Sequence, residues 1–292
     1  MKSCLSDKII HTIIYILSIL MLIILIYPLY FMVLASFSNP SAVANGQVWF
    51  SPKGFTLDGY KALLPKMEVW VGYLNTILYT VAGTAIGLAV NIPAAYALSR
   101  KDLLGRKTIT FLFVFTMFFN GGLIPTFVTI QNFGLYDTFL VMILPFSVIV
   151  YDIIVARTFF SNSIPPELWD AAQIDGCGNL QYFFKIVLPL SKAIIAVLGL
   201  WIAVGQWNSY FNALVYLRSP NLYPLQLILR NILITDQMQS ALGSGEAAQI
   251  ALRLANLMRY SVIIVATVPI MCVYPFVQKY FNKGVMIGAI KG

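Results

Sequence analysis

Charge is what this chain has least of. Asp, Glu, Lys and Arg make up only 10% of its 292 residues, against about a quarter in soluble domains, so most of its surface is not built for water. Histidine is nearly absent. His11 and the scattered Cys4, Cys177 and Cys272 cannot assemble a metal site, and His11 reads as an interfacial polar residue. None of the three cysteines falls in an outside loop of the topology derived below, so no disulfide is implied. A phosphate loop of the form G-x-x-x-x-G-K-[ST] is missing, which excludes an ATPase of that kind. A membrane-embedded enzyme would need clustered His, Asp, Glu or Cys at the bilayer surface, and the acids are few and dispersed. No repeat of about 20–50 residues and no low-complexity tract occurs.

What the chain has is apolar length. Hydrophobic residues account for 59% of it, gathered into six runs at 12–37, 70–98, 107–130, 138–160, 191–217 and 259–281. About 20 apolar residues cross the hydrocarbon of a bilayer. Backbone groups find no water there, so such runs form helices or a closed barrel, and runs this long without strict alternation exclude the barrel. The expected fold is an all-α integral membrane protein with six transmembrane helices in a single domain, 1–292. The first run resembles a secretory signal in following Lys2 and Lys8. Its apolar stretch, Ile9 to Ala35, far exceeds a signal's core of about 7–15 residues. The Ala35-Ser36 step leaves cleavage open, and an uncleaved first helix is expected.

The net charge of +8 invites a nucleic-acid reading, which its distribution opposes. With the amino terminus inside, twelve of the 19 basic residues lie on cytoplasmic segments, among them Lys2, Lys8, Arg100, Lys101, Arg106 and Lys107. Seven lie outside, on segments of slightly greater total length. This is the positive-inside bias, and it puts both termini in the cytoplasm. Outside, the loop 38–69 is rich in Pro, Gly and aromatics and reads as short and ordered. The longer outside connection, 218–258, places Glu246, Gln249, Arg253 and Asn256 on the polar face of an amphipathic helix. That helix either lies at the membrane surface or docks an extracytoplasmic partner.

The cytoplasmic loop 161–192 contains Pro165-Pro166-Glu167-Leu168-Trp169-Asp170-Ala171-Ala172-Gln173-Ile174-Asp175-Gly176. Paired prolines suit a first helical turn, and Glu167 and Asp170 favour the positive end of the helix dipole. Leu168, Ala171, Ala172 and Asp175 follow i, i+3, i+4, i+7. The small alanines admit close approach of another protein, and Gly176 can end the helix in a left-handed turn. A short helix of this kind has few partners within its own chain. It is either a connection lying flat on the bilayer or a seat for another protein.

The segment resembles the cytoplasmic signature of ATP-binding-cassette (ABC) import permeases: E-A-A, three residues, G, nine residues, I, one residue, L-P. Asp170-Ala171-Ala172, Gly176, Ile186 and Leu188-Pro189 meet every spacing. The departure is Asp170, which keeps the charge of the usual glutamate and shortens its reach by one methylene. Asn120-Gly121-Gly122-Leu123-Ile124-Pro125, the stretch 205–214 and the terminal 283–292 resemble MalG-like carbohydrate permeases, in the LplC/YtcP-like branch for complex oligosaccharides. The resemblance implies a type I ABC importer permease in a bacterial cytoplasmic membrane, moving a sugar or oligosaccharide. It implies a homologous second permease, two ATPase subunits that bind ATP and Mg, and an extracytoplasmic solute-binding protein. It makes Glu167, Asp170, Ala171, Ala172, Asp175, Gly176, Ile186, Leu188 and Pro189 the coupling segment. By the same analogy the tail, with Gly284, Gly288, Lys291 and Gly292, reaches the ATPase interface.

Substrate contacts are sought at helix interruptions and at polar groups within spans. Asn120, Gly121 and Gly122, with Phe119 beside them, weaken span three, and Pro125 cannot donate to the carbonyl of Gly121. A kink and a sugar contact are both open. Trp201, Gly205, Asn208 and Asn212 follow i, i+4, i+7, i+11. Intramembrane amides also join helices at roughly 0.6–2 kcal/mol each, so glue and cavity lining both remain, as they do for Asn75 and Asn91. A secondary carrier would need buried mid-span carboxylates; Asp152 and Arg157 are assigned to the inner end of span four. A permease for amino acids, peptides or phosphate shares the coupling signature.

Overall fold

The computed structural model describes residues 5–242, 258–272 and 275, with side chains over 8–234 in the first stretch. No strand occurs among the described residues. The chain falls into two compact units, one of residues 1–69 and 229–269, the other of 70–228 and 270–292.

In the first unit α1 (Leu5–Ser36) carries an apolar stretch that is wholly exposed, as expected of a helix sheathed by hydrocarbon. The loop behind it is ordered by its own chain. Asn39 N donates to the Lys53 carbonyl at 2.9 Å and Thr56 N to that of Phe37 at 3.0 Å. The Tyr60 hydroxyl donates to Ser36 Oγ at 2.8 Å, and the Phe37 ring stacks on Phe55. The short helices α2 (Pro40–Ala44) and α3 (Asp58–Leu63) complete it. Asn39 caps α2 by accepting from Ser41 N. The helix Met258–Cys272 follows later in the chain, and its Tyr260 meets Phe31 edge-on.

The second unit is built on α4 (Met67–Ser99), an unbroken helix of 33 residues despite Pro93. Its polar side chains are spent inside the chain. Asn75 Nδ2 donates to the carbonyls of Asn221 and Tyr223 at 2.7 and 3.0 Å. Asn91 Nδ2 donates to the Ser147 carbonyl at 2.8 Å, and its Oδ1 accepts from Ile149 N at 3.0 Å. The amides at 75 and 91 are therefore glue, the cheaper fate for a polar group in lipid.

The expected crossing over 107–130 is broken. Its residues form α5 (Arg106–Phe118) and α6 (Leu123–Asn132), bent by 113° at the break. Gly122 adopts φ +80°, and Pro125 falls in the first turn of α6, where its missing N–H costs nothing. The glycines stop one helix and the proline opens the next, so no kinked single helix forms. The run 138–160 is also discontinuous: a 3₁₀ turn, Phe139–Met142, then non-helical chain around Pro145, then α7 (Val150–Ser163). Asp137, at φ 57°, staples that region. Its carboxylate accepts from Arg218 N and Ser219 N at 2.8 Å and from Ser219 Oγ at 2.6 Å. These bonds, Ser219's first, hold Asp137 below the usual carboxylate range.

Beyond α7 come α8 (Glu167–Ile174), α9 (Asn179–Tyr182), a π turn Phe183–Val187, α10 (Leu188–Leu190) and α11 (Lys192–Trp207). Pro189 has no N–H to give the Lys185 carbonyl, which suits the wider π turn at that point. The axis turns by 81° between Leu190 and Lys192. After α11 follow α12 (Phe211–Tyr216) and α13 (Leu225–Leu242). Glycines let α4 and α11 approach closely: a Cβ on Gly83 would lie 2.6 Å from Gln206 Nε2, and one on Gly87 3.1 Å from Ile202. By length and composition, α1 and α4 can each cross a membrane alone, and the bent pairs 106–132 and 179–207 pass the same test as pairs. The sixth expected span is described only as far as Cys272 and at Pro275.

Candidate functional site

The proline pair stands just ahead of α8 and not in its first turn: Pro166 is the N-cap, and Glu167 and Asp170 occupy the first turn. Its end is a Schellman turn. Cys177 N donates to the Ala172 carbonyl at 2.8 Å and Gly176 N to that of Gln173 at 3.0 Å. Gly176 sits at φ +74°, and a Cβ there would meet nothing within 4 Å. The glycine therefore serves the backbone angle and not the space around it.

The two alanines part company. Ala172 is only 5% exposed, in a core cluster with Leu98, Phe160, Tyr182, Phe183 and Val187, while Ala171 faces outward. Consecutive helical residues lie about 100° apart, so the single face expected for Leu168, Ala171, Ala172 and Asp175 splits. Nor is the helix poor in partners. Trp169 packs edge-on against Tyr182 at 4.9 Å, and the Arg100 guanidinium lies 4.1 Å from the Trp169 ring centre. Arg100 grips Asp102 with both ends, Nε at 2.9 Å and Nη2 at 2.6 Å. That pair raises the arginine's pKa and lowers the aspartate's. A cavity of about 330 Å³ opens there, lined among others by Tyr96, Arg100, Pro166, Trp169 and Asp170. One side of α8 is thus fastened to the foot of α4.

The other side is bare. Glu167, Asp170, Asp175 and Gly176 are exposed, and two apolar residues stand out beside them: Ile174, 87% exposed, and Leu180, 76% exposed. The motif spacing singles out neither, although isoleucine and leucine within an otherwise polar loop are themselves a signal. Ile186 and Leu188 pack partly against the core cluster, and Pro189 is exposed.

The substrate candidates divide. Phe119, Asn120, Gly121 and Gly122 form the exposed α5–α6 corner. Asn120 Oδ1 accepts from Gly122 N at 3.0 Å and so shapes the corner itself. Phe119 stacks on Phe115 at 4.5 Å. Trp201 and Gly205 on α11 and its C-cap Asn208 keep a common exposed stripe, with Trp201 against Tyr151 at 5.8 Å. Asn212 leaves that stripe because α11 ends at Trp207 and α12 begins at Phe211. Asp152, expected near the inner end of span four, lies in the first turn of α7. It is 3% exposed with Oδ2 unpartnered. The tail residues Gly284, Gly288, Lys291 and Gly292, and the stripe Glu246, Gln249, Arg253 and Asn256, lie outside the described residues.

Residues 69–287 match the family described as "Binding-protein-dependent transport system inner membrane component". The chain is 38% identical to the polygalacturonan/rhamnogalacturonan transport system permease protein YtcP of Bacillus subtilis (strain 168), covering 100% of both chains. It is 37% identical to Protein LplC of the same organism, over 92% of this chain and 90% of that one. Among solved structures, a bacterial ABC transporter involved in the import of the acidic polysaccharide alginate has a chain 32% identical to this one. The two superpose with a TM-score of 0.83, over 96% of this chain and 99% of that chain.

Proposed function

The chain belongs to the family of binding-protein-dependent transport system inner membrane components, and from that premise we propose that it is a transmembrane permease subunit of an ABC importer for sugars or oligosaccharides. The names of its relatives favour a saccharide over an amino acid, peptide or phosphate. Membership of a binding-protein-dependent transport family is what sets the secondary carrier aside.

The six runs form one transmembrane domain with both termini in the cytoplasm, beside a homologous second permease. An extracytoplasmic binding protein delivers the solute, and two ATPase subunits holding ATP and Mg supply the energy. Residues 167–189 are the coupling segment, with Asp170, Ala171, Asp175 and Gly176 toward an ATPase and Ala172 toward the bundle. Ile174 and Leu180 add apolar contact, worth about 1.5–3 kcal/mol for each side chain fully covered. Closure of the ATPase pair on ATP moves α8, and the fastening at Trp169, Arg100 and Tyr182 passes that movement to α4. The exposed α5–α6 corner and the Trp201, Asn208 stripe line the solute's path; the tail with Gly284, Gly288, Lys291 and Gly292 reaches the ATPase interface.

The observation that carries this reading is a short helix with a spaced signature, fastened on one side and bare on the other. Cysteines placed singly at 171, 172 and 174 test it in native membranes. Capture of an ATPase subunit is expected from 171 and 174 and not from 172; no capture from any of them refutes it. Uptake measured over a panel of neutral and uronic-acid oligosaccharides identifies the solute.

A further inference from the structure

Under the α4–α5 turn a second cavity, of about 840 Å³, opens to the surface. Lys101, Arg106 and Lys107 reach its wall from the turn and the start of α5, and Arg157 from α7. No acid lines it. Lys101 and Arg106 also border the smaller cavity beside α8, whose carboxylates are Asp102, already held by Arg100, and Asp170. Arg157 Nε donates to the Leu98 carbonyl at 3.1 Å, which pins the guanidinium in place. Thr110 also contributes to the wall, and its hydroxyl is buried without a partner.

The cavity continues into apolar surface. Phe111 lines it, and α5 buries none of its residues, leaving Phe111, Leu112, Phe115 and Phe118 exposed along the helix. Four cations at one end and an uncovered apolar helix leading away ask for a ligand with an anionic head and apolar chains. A free phosphate or a nucleotide would satisfy only the cations, and an uncharged lipid only the helix. We infer that this cavity binds the headgroup of an anionic phospholipid, its phosphate among Lys101, Arg106, Lys107 and Arg157 and its acyl chains along α5. Basic pockets at the edge of a membrane domain select anionic lipid for this electrostatic reason, and guanidinium groups suit phosphate oxygens in particular. The site depends neither on the solute carried nor on which way the chain faces.

The test titrates the intact transporter, purified in detergent, with phosphatidylglycerol or with phosphatidylcholine of the same chains, and counts retained lipid by native mass spectrometry. Binding in detergent reads the site whatever the topology or solute, so its failure is separable from failure of the transport assignment. Phosphatidylglycerol should be retained in preference. With about fivefold in affinity for each cation, the double variant Lys101→Gln/Lys107→Gln should weaken it roughly 25-fold. The exposed pair Lys53→Gln/Lys61→Gln should change nothing. Equal retention of the two lipids, or an unaltered titration in the first double variant, overturns the proposal. Complete displacement by inorganic phosphate makes it a soluble-anion site and overturns it too. A photoreactive group at position 111 should label lipid; labelling of the second permease instead makes the furrow a subunit interface and ends the proposal.

Discussion

Substitution of Gly176 separates a backbone requirement from a contact requirement. The residue holds φ +74° with open space around its missing Cβ. In the left-handed region an ordinary L-residue costs about 1–2 kcal/mol, and asparagine noticeably less. Alanine therefore lowers the population of the intact turn by about five- to thirtyfold, and asparagine by less, although asparagine is the larger. Proline is in another class: it fixes φ near −65° and removes the 3.0 Å bond from Gly176 N to the Gln173 carbonyl. Uptake of labelled oligosaccharide and substrate-stimulated ATP hydrolysis, measured in proteoliposomes at matched insertion, should fall in the order Gly, Asn, Ala, Pro, with Pro abolishing both. If asparagine proves as damaging as alanine or worse, the glycine serves close approach of a partner and the backbone reasoning fails. Undiminished transport by Gly176→Pro refutes the coupling role itself.

Charging the bare side, with Ile174→Asp or Leu180→Glu, should reduce co-purification of the ATPase subunits by at least tenfold while leaving the chain inserted, given about 1.5–3 kcal/mol for each covered side chain. A double-mutant cycle on Arg100→Gln and Trp169→Leu, read by thermal unfolding in detergent, should give a coupling energy of about 0.5–1 kcal/mol; additivity within error means the stacked pair contributes nothing. Asp137 titrates below the ordinary carboxylate value because Ser219 and Arg218 bond its ionised form. Its contribution is complete above the unfolded pKa of about 3.9 and is lost as pH falls through the lower folded value. Melting of the wild type should therefore drop at acid pH more steeply than that of Asp137→Ala, and parallel curves for the two would count against the staple.

Much of the proposed coupling segment was legible because its signals are local. Pro165-Pro166 stands just ahead of α8, Gly176 closes it, and Pro189 lies where the helix widens and then turns. The apolar runs likewise announced helices. Which side of α8 meets the bundle was not legible, since Ala171 and Ala172 are chemically identical and only the core packed around Phe160 and Tyr182 distinguishes them. Arg100 with Trp169, and Asp137 with Ser219, are separated by long stretches of chain, and no periodicity brings them together. The broken third and fourth runs show the same limit. Gly121, Gly122 and Pro145 permit a break, and a corner of 113° is a result of packing that composition does not contain.

The sharp turn at Ser191 has a consequence for where force can go. Because α10 and α11 do not share an axis, a tug on α8 is not passed end-on up the longer helix, as along a rigid rod. In the coupling scheme proposed above it crosses sideways, through the rings and guanidinium at the base of α4 and the core that Ala172 shares with α7 and α11, and those contacts act as the gearbox between fuel and cargo. Under that scheme, a change there would leave an importer that still consumes nucleotide and carries nothing.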